Sequence, residues 1–190
     1  MGRASAFVHV TIDGLFAGPH GEIDWFKTIR KDDQYEAYTH RQSQSGGTLI
    51  FGRTTYEMMK TYWPTPEAIK ADPAMAEVVN ASPKLVFSRK LGGVEEGPNW
   101  KNIELLHAID PQDIRRRKQR DGDLTILGSG SIVRQFSNQG LLDDYTLVIV
   151  PIVLGSGKRL FDEVRQTELA LLESRSFENG LVVLRYGQTG

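Results

Sequence analysis

Cysteine is absent from the 190 residues, which excludes disulfide scaffolds, thiol nucleophiles and zinc ribbons together and is compatible with a reducing compartment. Neither sign of charge dominates. The chain has 23 Lys and Arg against 24 Asp and Glu, a formal net charge of −1, so no whole-surface field is available to hold a polyanion or an anionic membrane. Long apolar runs are missing as well, and none approaches the ~18 residues that a membrane span needs. The opening MGRASAFVHVTIDG has no apolar core of secretory length, and Ala6 stands where a myristoylation signal carries Ser or Thr. The four histidines, His9, His20, His40 and His107, are scattered without i, i+4 pairing, so no metal site is expected. Hydrophobic residues make up 39% of the chain, enough for a proper core in what its length makes one domain, residues 1–190. The expectation is a soluble protein of the cytoplasm that acts on a small molecule, with no nucleic acid and no membrane as partner.

Two kinds of segment alternate along the chain, short β-branched apolar runs and longer polar stretches with helix caps, which is the pattern of an α/β architecture. Strands are expected at 6–12 (AFVHVTI), 48–52 (TLIFG), 84–88 (KLVFS), 103–106 (IELL), 124–128 (LTILG) and 147–154 (LVIVPIVL). Several are apolar on consecutive residues, as strands covered on both faces are. Near the end, LALLESRSFENGLVVLRY holds two runs around Glu178-Asn179-Gly180, a hairpin signal that adds an antiparallel piece to the sheet. Helix starts are expected at a capping box, Thr54-Thr55-Tyr56-Glu57, and at Asp110-Pro111, with an acid at Asp113 and a stop at Gly122. The stretch after Gly128 suits a short helix that buries Ile132, Val133 and Phe136 and ends at Gly140. Residues 31–45 read as a further helix, and the proline-bracketed stretch 64–83 as an irregular excursion with room for one short helix.

Three strand ends run into small or cationic polar clusters: FGRTT (51–55), FSRK (87–90) and ILGSGS (126–131). In an open α/β sheet, ligands bind outside the carboxyl ends of the strands, where backbone N–H groups and helix N-termini face an anion. Gly128 and Gly130 allow close backbone approach to a pyrophosphate, and Thr54, Thr55, Ser129 and Ser131 carry hydroxyls to donate. Arg53 and Arg89 suit a terminal phosphate monoester, which favours NADP(H) over NAD(H). Each element also has a plainer reading, as a tight turn or a solvated first-turn arginine. GSGSIV is not a complete G-x-G-x-x-G, since Val133 takes the third glycine's place, and a standard dinucleotide domain is disfavoured.

LGSGKRLF (154–161) has Ile152 and Arg159 where a P-loop needs Gly and Ser or Thr, so Lys158 and Arg159 either face solvent or line a ligand cleft. The basic run from Arg115 to Arg120 lies among acids on a capped helix and reads as a solvated face. The bent loop TIDGLFAGPHGEIDW (11–25) is long enough to close over a flat ring. Within it, Asp13 either orients or protonates a substrate or caps a turn, and Trp25 is either core or a stacking platform.

The ordered set TIDG, IDW, LIFGRTTYEMM, PKLVFSR, LGSGSIVRQF, GLLDDYTLVIVPIVLGSGKRLF and ENGLVVLRY, from about Ala6 to Tyr186, resembles the dihydrofolate reductase-like superfamily. Within it the likeness is nearest to the C-terminal reductase domain of the bifunctional riboflavin-biosynthesis deaminase/reductase. The resemblance implies a mixed, mostly parallel sheet with helices on both faces and a C-terminal antiparallel hairpin, binding NADPH along its C-terminal edge. Carried over by position, it implies that Gly52, Arg53, Thr54 and Thr55 hold pyrophosphate and adenosine phosphate, and that Ser88 and Arg89 meet the 2′-phosphate. Gly128, Ser129, Gly130 and Ser131 would grip the pyrophosphate from a second helix end, and the loop at Ala17 and Gly18 would flank the nicotinamide. Asp13 is then the catalytic candidate, and Trp25 and Lys158 the substrate-binding ones.

The implied activity is hydride transfer from NADPH to a small planar heterocycle, similar to the step of 5-amino-6-(5-phosphoribosylamino)uracil reductase, and the implied protein partner is a second copy of the chain. A catalytically idle NADP-binding or self-associating module is the alternative. Two departures bear on the substrate. Leu127-Gly128-Ser129 stands where the riboflavin reductase domain has E-G-G, so the acid at that strand end is missing. The carboxylate that folate enzymes carry on the first helix after the Trp has its nearest counterparts in Asp32 and Asp33 behind a changed spacing, so folate reduction is not expected.

Overall fold

The computed structural model describes residues 2–189. Eight strands form one sheet in the order β5 (Ile103–Leu106), β4 (Lys84–Phe87), β3 (Thr48–Gly52), β6 (Leu124–Leu127), β1 (Ala4–Thr11), β7 (Asp144–Val150), β10 (Val182–Gln188) and β9 (Leu169–Ser176). Neighbours from β5 through β7 run parallel, and β10 and β9 join antiparallel. The Asn179-Gly180 turn closes the hairpin with Gly180 at φ +88°, a left-handed conformation that glycine adopts without a Cβ penalty. A separate two-stranded ribbon pairs β2 (Leu15–Ala17) with β8 (Lys158–Arg159). The sheet is thus mixed and mostly parallel, with helices on both faces and a hairpin at its C-terminal side.

Alternation along the strands sorts residues between two faces. Ala4, Ala6, Val8 and Val10 of β1, with Ile50, Leu85, Leu124 and Ile126, turn one way and pack under α5 (Pro111–Arg120) and α6 (Gly130–Asn138) through Ile114, Ile132, Val133 and Phe136. The opposite face carries two separate clusters. One lies under α1 (Asp33–Ser43) and a short 3-10 turn, Asp24–Thr28, with Trp25, Tyr38, Val148, Phe177 and Val183. The other lies under α2 (Arg53–Tyr62) and α4 (Pro73–Ala81), with Phe51, Tyr56, Val79, Val86 and Trp100. Among the described residues no helix is long and apolar enough to cross a membrane.

Three local expectations are corrected. The strand expected at 147–154 starts at Asp144 and stops at Val150, because Pro151 has no N–H to continue the ladder. The expected capping box is not used, since α2 begins at Arg53 with Gly52 as N-cap and no side-chain cap bond. The stretch 64–83 holds two helices, α3 (Pro66–Ala71) and α4, each with proline in its first turn and capped by Thr65 and Asp72 respectively. The basic run on α5 is largely paired: Arg117 forks onto Glu104 at 2.7 and 2.8 Å, Arg116 and Arg117 reach Asp113, Lys118 binds Asp143, and Arg120 binds Asp121.

Lys84, at the start of β4, is 1% exposed. Its ammonium donates to the carbonyls of Asn80 (2.9 Å), Ser82 (2.7 Å) and Lys101 (3.1 Å), and lies 4.4 Å from the centre of the Trp100 ring. Burial draws its pKa down to about 8, so it is still cationic at neutral pH. Replacing it by Lys84→Met leaves three carbonyls without that donor, and urea unfolding is expected to show a loss of about 2–4 kcal/mol.

Candidate functional site

Parallel pairing of β3, β6 and β1 places their carboxyl ends on one edge of the sheet, where β3 runs into α2 and β6 into α6. The two turns touch. The Gly52 N–H donates to Ser129 Oγ at 2.9 Å, and Ser129 Oγ in turn donates to the Leu127 carbonyl at 3.2 Å. A Cβ on Gly52 would lie 3.3 Å from Ile132, and one on Gly128, at φ +60°, would lie 3.8 Å from Thr55. Gly130 is glycine for a steric reason, since a Cβ there would fall 2.5 Å from the ring of Phe16.

The helix ends differ in their capping. Asp32, Thr65, Asp72 and Asp110 cap α1, α3, α4 and α5 with side-chain oxygens. Neither α2 nor α6 has a side-chain cap bond or an acid in its first turn. These two open N-termini, each with its positive dipole end, therefore stand side by side at one corner. Arg53, Thr54, Gly128 and Ser131 are exposed there, whereas Gly52, Thr55, Ser129 and Gly130 are buried and form the corner's foundation. Arg53 is a half-exposed partner of Glu57 at 3.3 Å, a contact weak enough to give way to a ligand anion. At the β4 end, Ser88 Oγ accepts from the N–H groups of Lys90 and Leu91, which makes it a turn former, while Arg89 is exposed.

A second feature adjoins the corner. On the face away from α6, the residues Ser5, Phe7 and His9 of β1 and Thr125 and Leu127 of β6 are all partly exposed, although these are the two central strands of the sheet. Phe7 and Leu127 are register partners, yet Phe7 packs into the cluster under α1 and Leu127 into the one under α2. The boundary between the two clusters is thus a partly exposed strip, a cleft between the helices of that face floored by β1 and β6. Its walls meet at His40 of α1, whose Nε2 is 2.9 and 3.0 Å from the two carboxylate oxygens of Asp72 before α4.

Inside the cleft, His9 Nε2 is 2.7 Å from the Tyr35 hydroxyl, and the His9 ring lies 4.9 Å from Phe26 and 5.7 Å from Phe7, centre to centre. Burial lowers the His9 pKa to about 4 and raises that of Tyr35, so both are neutral at pH 7. Trp25 is 5% exposed, and its indole N–H is sealed from solvent with no hydrogen-bond partner among the described residues.

The remaining expected residues have plain structural positions. Asp13 accepts from Thr11 Oγ1 at 2.6 Å and from the N–H groups of Leu154 and Gly155, which lowers its pKa, the Thr11 bond most. It ties the end of β1 to the 154–155 turn and stays ionised. Lys158 is exposed on β8, paired in register with buried Ala17, and its Nζ lies 3.1 Å from where a Cβ of Gly21 would be. Asp32 caps α1 and also accepts from Asn179 N, so it is engaged in anchoring α1 to the hairpin. Among the described residues no cluster of three or more potential metal ligands is present.

Sequence reasoning missed the cleft floor. The available signal was the alternation Ser5, Phe7, His9 with Thr125, polar side chains on one face of strands otherwise apolar enough for burial on both.

The fold is that of the dihydrofolate reductase class. A dihydrofolate reductase from Enterococcus faecalis complexed with NADP(H) superposes with a TM-score of 0.64 at 13% identity, over 99% of this chain and 97% of that one. A protein from Shewanella sp. PV-4 superposes with a TM-score of 0.79 at 20% identity, over 99% of both chains. In sequence, the protein YyaP of Bacillus subtilis (strain 168) is 31% identical over 182 residues, 95% of this chain and 92% of YyaP. The model of the RibD C-terminal domain matches residues 5–183, and the chain belongs to that family. Membership supports a reductase-type activity in general.

The depressed His9 pKa has a sign that can be tested. Between pH 6.5 and about 4 the unfolded chain binds a proton at this position that the folded chain refuses, so stability falls as pH falls through that window. The fall is at most about 3 kcal/mol and is smaller to the extent that the ring edge meets water. Carboxylates with lowered pKa, such as Asp13 and Asp32, give up their contributions only below pH 3.8, as they protonate. Urea unfolding at pH 7, 5.5 and 4.5 should show the loss in the wild type and a smaller one in His9→Gln.

Proposed function

We propose that the protein is an NADPH-dependent reductase that delivers a hydride to a small planar heterocycle. The observation that carries this reading is the pair of N-termini of α2 and α6, adjoining and without side-chain caps, beside a partly exposed strip of β1 and β6. Two helix dipoles and free N–H groups suit a pyrophosphate, and the adjoining cleft suits a ring.

Arg53, Thr54, Gly128 and Ser131 would hold the pyrophosphate, with Gly52, Thr55, Ser129 and Gly130 shaping the turns beneath it. Arg89 would take the terminal phosphate monoester together with Arg53, and Ala17 would line the cofactor from the β2–β8 ribbon. NADPH, when bound, supplies the hydride. The chain's own residues orient and desolvate: Phe7, Phe26 and Leu127 exclude water, Trp25 backs the Phe26 ring at 4.4 Å, and Lys158 stands on the adjacent loop as a substrate-side cation. Asp13, held ionised by three donors, positions the loop over the cleft and is not a proton source.

The phosphate assignment is tested by titrating NADPH and NADH against the wild type, Arg53→Ala and Arg89→Ala. Each substitution should weaken NADPH by about 1.5–3 kcal/mol, roughly 10- to 150-fold, and change NADH little. An unmutated protein that does not prefer NADPH would refute the clamp. Tight NADPH binding without oxidation over a panel of pterins, pyrimidines and quinones would make the protein an idle cofactor-binding module.

A second copy of the chain is the protein partner that the sheet suits. The strand β9 is paired on one side only, and Leu171 and Leu172 on it are 55% and 53% exposed. Sedimentation should give a dimer in the wild type and a shift toward monomer in Leu171→Lys. A wild-type monomer at tens of micromolar would sink that assignment.

A further inference from the structure

His9 is unusual among the residues of the central strands. It lies two positions beyond Phe7, the last β1 residue with a partner in β6, so it sits where the partly exposed strip reaches the corner formed by the α6 turn. The Gly128 N–H bonded to the Phe7 carbonyl at 3.1 Å marks the same junction.

Hydrogen-bond accounting assigns the tautomer of His9. Tyr35 makes no other side-chain hydrogen bond among the described residues. If His9 Nε2 carried the proton and donated to the Tyr35 oxygen, the phenol hydrogen would be left without an acceptor. Donation from the Tyr35 hydroxyl into Nε2 leaves only one group unpaired, the Nδ1–H, where the reverse leaves both the phenol hydrogen and the Nδ1 lone pair, so the imidazole proton belongs on Nδ1. Among the described residues Nδ1 has no protein partner. On a partly exposed residue it is the ring's free donor, held in place by the Tyr35 bond.

The surroundings define what it can meet. The floor is Ser5, Phe7, Thr125 and Leu127, with Phe26 tilted 58° and Tyr35 79° to the imidazole. Ser5 and Thr125 face each other at 3.4 Å and satisfy one another. These four floor residues are uncharged; beside Ser5, Arg3 and Asp144 pair with each other at 3.0 Å, and Asp24 and Lys27 on the adjoining 3-10 turn at 3.2 Å. A charged ligand group placed against His9 would be desolvated without a counter-ion, whereas an uncharged flat ring with an acceptor on its edge would gain stacking area and one directed bond.

We propose that His9, with its tautomer fixed by Tyr35, is the specificity residue of the cleft, donating from Nδ1 to a ring carbonyl or imine nitrogen of an uncharged, planar heterocycle. The inference rests on the reductase reading for its setting and names the substrate class of that site. A carboxylate or phosphate on the substrate, where there is one, lies outside the aromatic cleft.

Quinazoline-2,4-dione, flat, uncharged and bearing two carbonyl acceptors, is a suitable probe, with its carboxylate derivative as the charged control. Nitrogen-15 NMR of the histidine side chains in the protein saturated with NADP+ should show the Nδ1–H tautomer at His9 and a shift of that signal on adding the dione. His9→Ala should bind the dione at least tenfold more weakly, His9→Asn should recover part of the loss through its amide N–H, and Tyr35→Phe should weaken binding and change the tautomer signal. The carboxylate derivative should bind at least tenfold more weakly than the dione. NADP+ affinity within twofold of wild type shows that the variants are folded. Equal dione affinity in His9→Ala, a bound dione that leaves the His9 signal unmoved, or no dione binding by the wild type would overturn the proposal. Should NADP+ fail to bind while the dione still engages His9, the reductase reading falls and the His9 assignment stands.

Discussion

One face of β1 and β6 is only partly covered, reached at His9 by Tyr35 of α1 and by Phe26 and otherwise lying between helices, and much of the molecule follows from that constraint. A central parallel strand is normally covered on both sides and is apolar on both. Here α5 and α6 cover one side completely, while on the other α1 packs over β7 and β10, and α2 with α4 over β3 and β4. The strip between them has to tolerate water, and it does so with Ser5, His9 and Thr125 among Phe7 and Leu127. The cleft is therefore a property of how helices are distributed over the sheet and needs no special loop to create it.

The same distribution decides where positive charge gathers. Of the six α-helices among the described residues, four close their N-termini with their own side chains, and the two that do not, α2 and α6, start side by side at the corner beside the cleft. Open N–H groups on a helix are stabilised by an anion from outside when no local side chain supplies one. The bond from Gly52 to Ser129 ties those two helix starts together, so an anion bound across them as proposed would meet a preformed seat.

Several buried polar groups mark the difference between support and recognition. Lys84 is saturated by three carbonyls and an aromatic face, and Asp13 by three donors; each fastens segments distant in sequence. Among the described residues the second nitrogen of His9 has no protein partner and belongs to a partly exposed side chain, whereas the indole N–H groups of Trp25 and Trp100 and the hydroxyls of Tyr38 and Tyr56 are unpartnered but sealed from solvent. A ligand's acceptor fits a donor it can reach, which sets His9 apart from the sealed groups.

The strands were legible in the chain because β-branched runs of four to eight residues bounded by Gly, Pro and Asp have few other solutions, and the Asn179-Gly180 hairpin follows from turn chemistry alone. So were the glycine and hydroxyl clusters at 52–55 and 128–131, since local composition records what a tight turn before a helix requires. Local signals misled where a longer-range demand prevailed. Thr54 lost the cap to Gly52 because the turn had to dock on Ser129. For Asp13 the sequence left a turn-capping role open beside a catalytic one, and residues 154 and 155, distant in sequence, fold back onto its carboxylate. The cleft itself was decided only by tertiary structure. Whether His9 is core or lining depends on which helices lie over its strand, and Tyr35 reaches it across 26 residues of chain. A one-dimensional pattern carries periodicity and turn chemistry, but coverage of a face is set by packing between elements far apart in sequence.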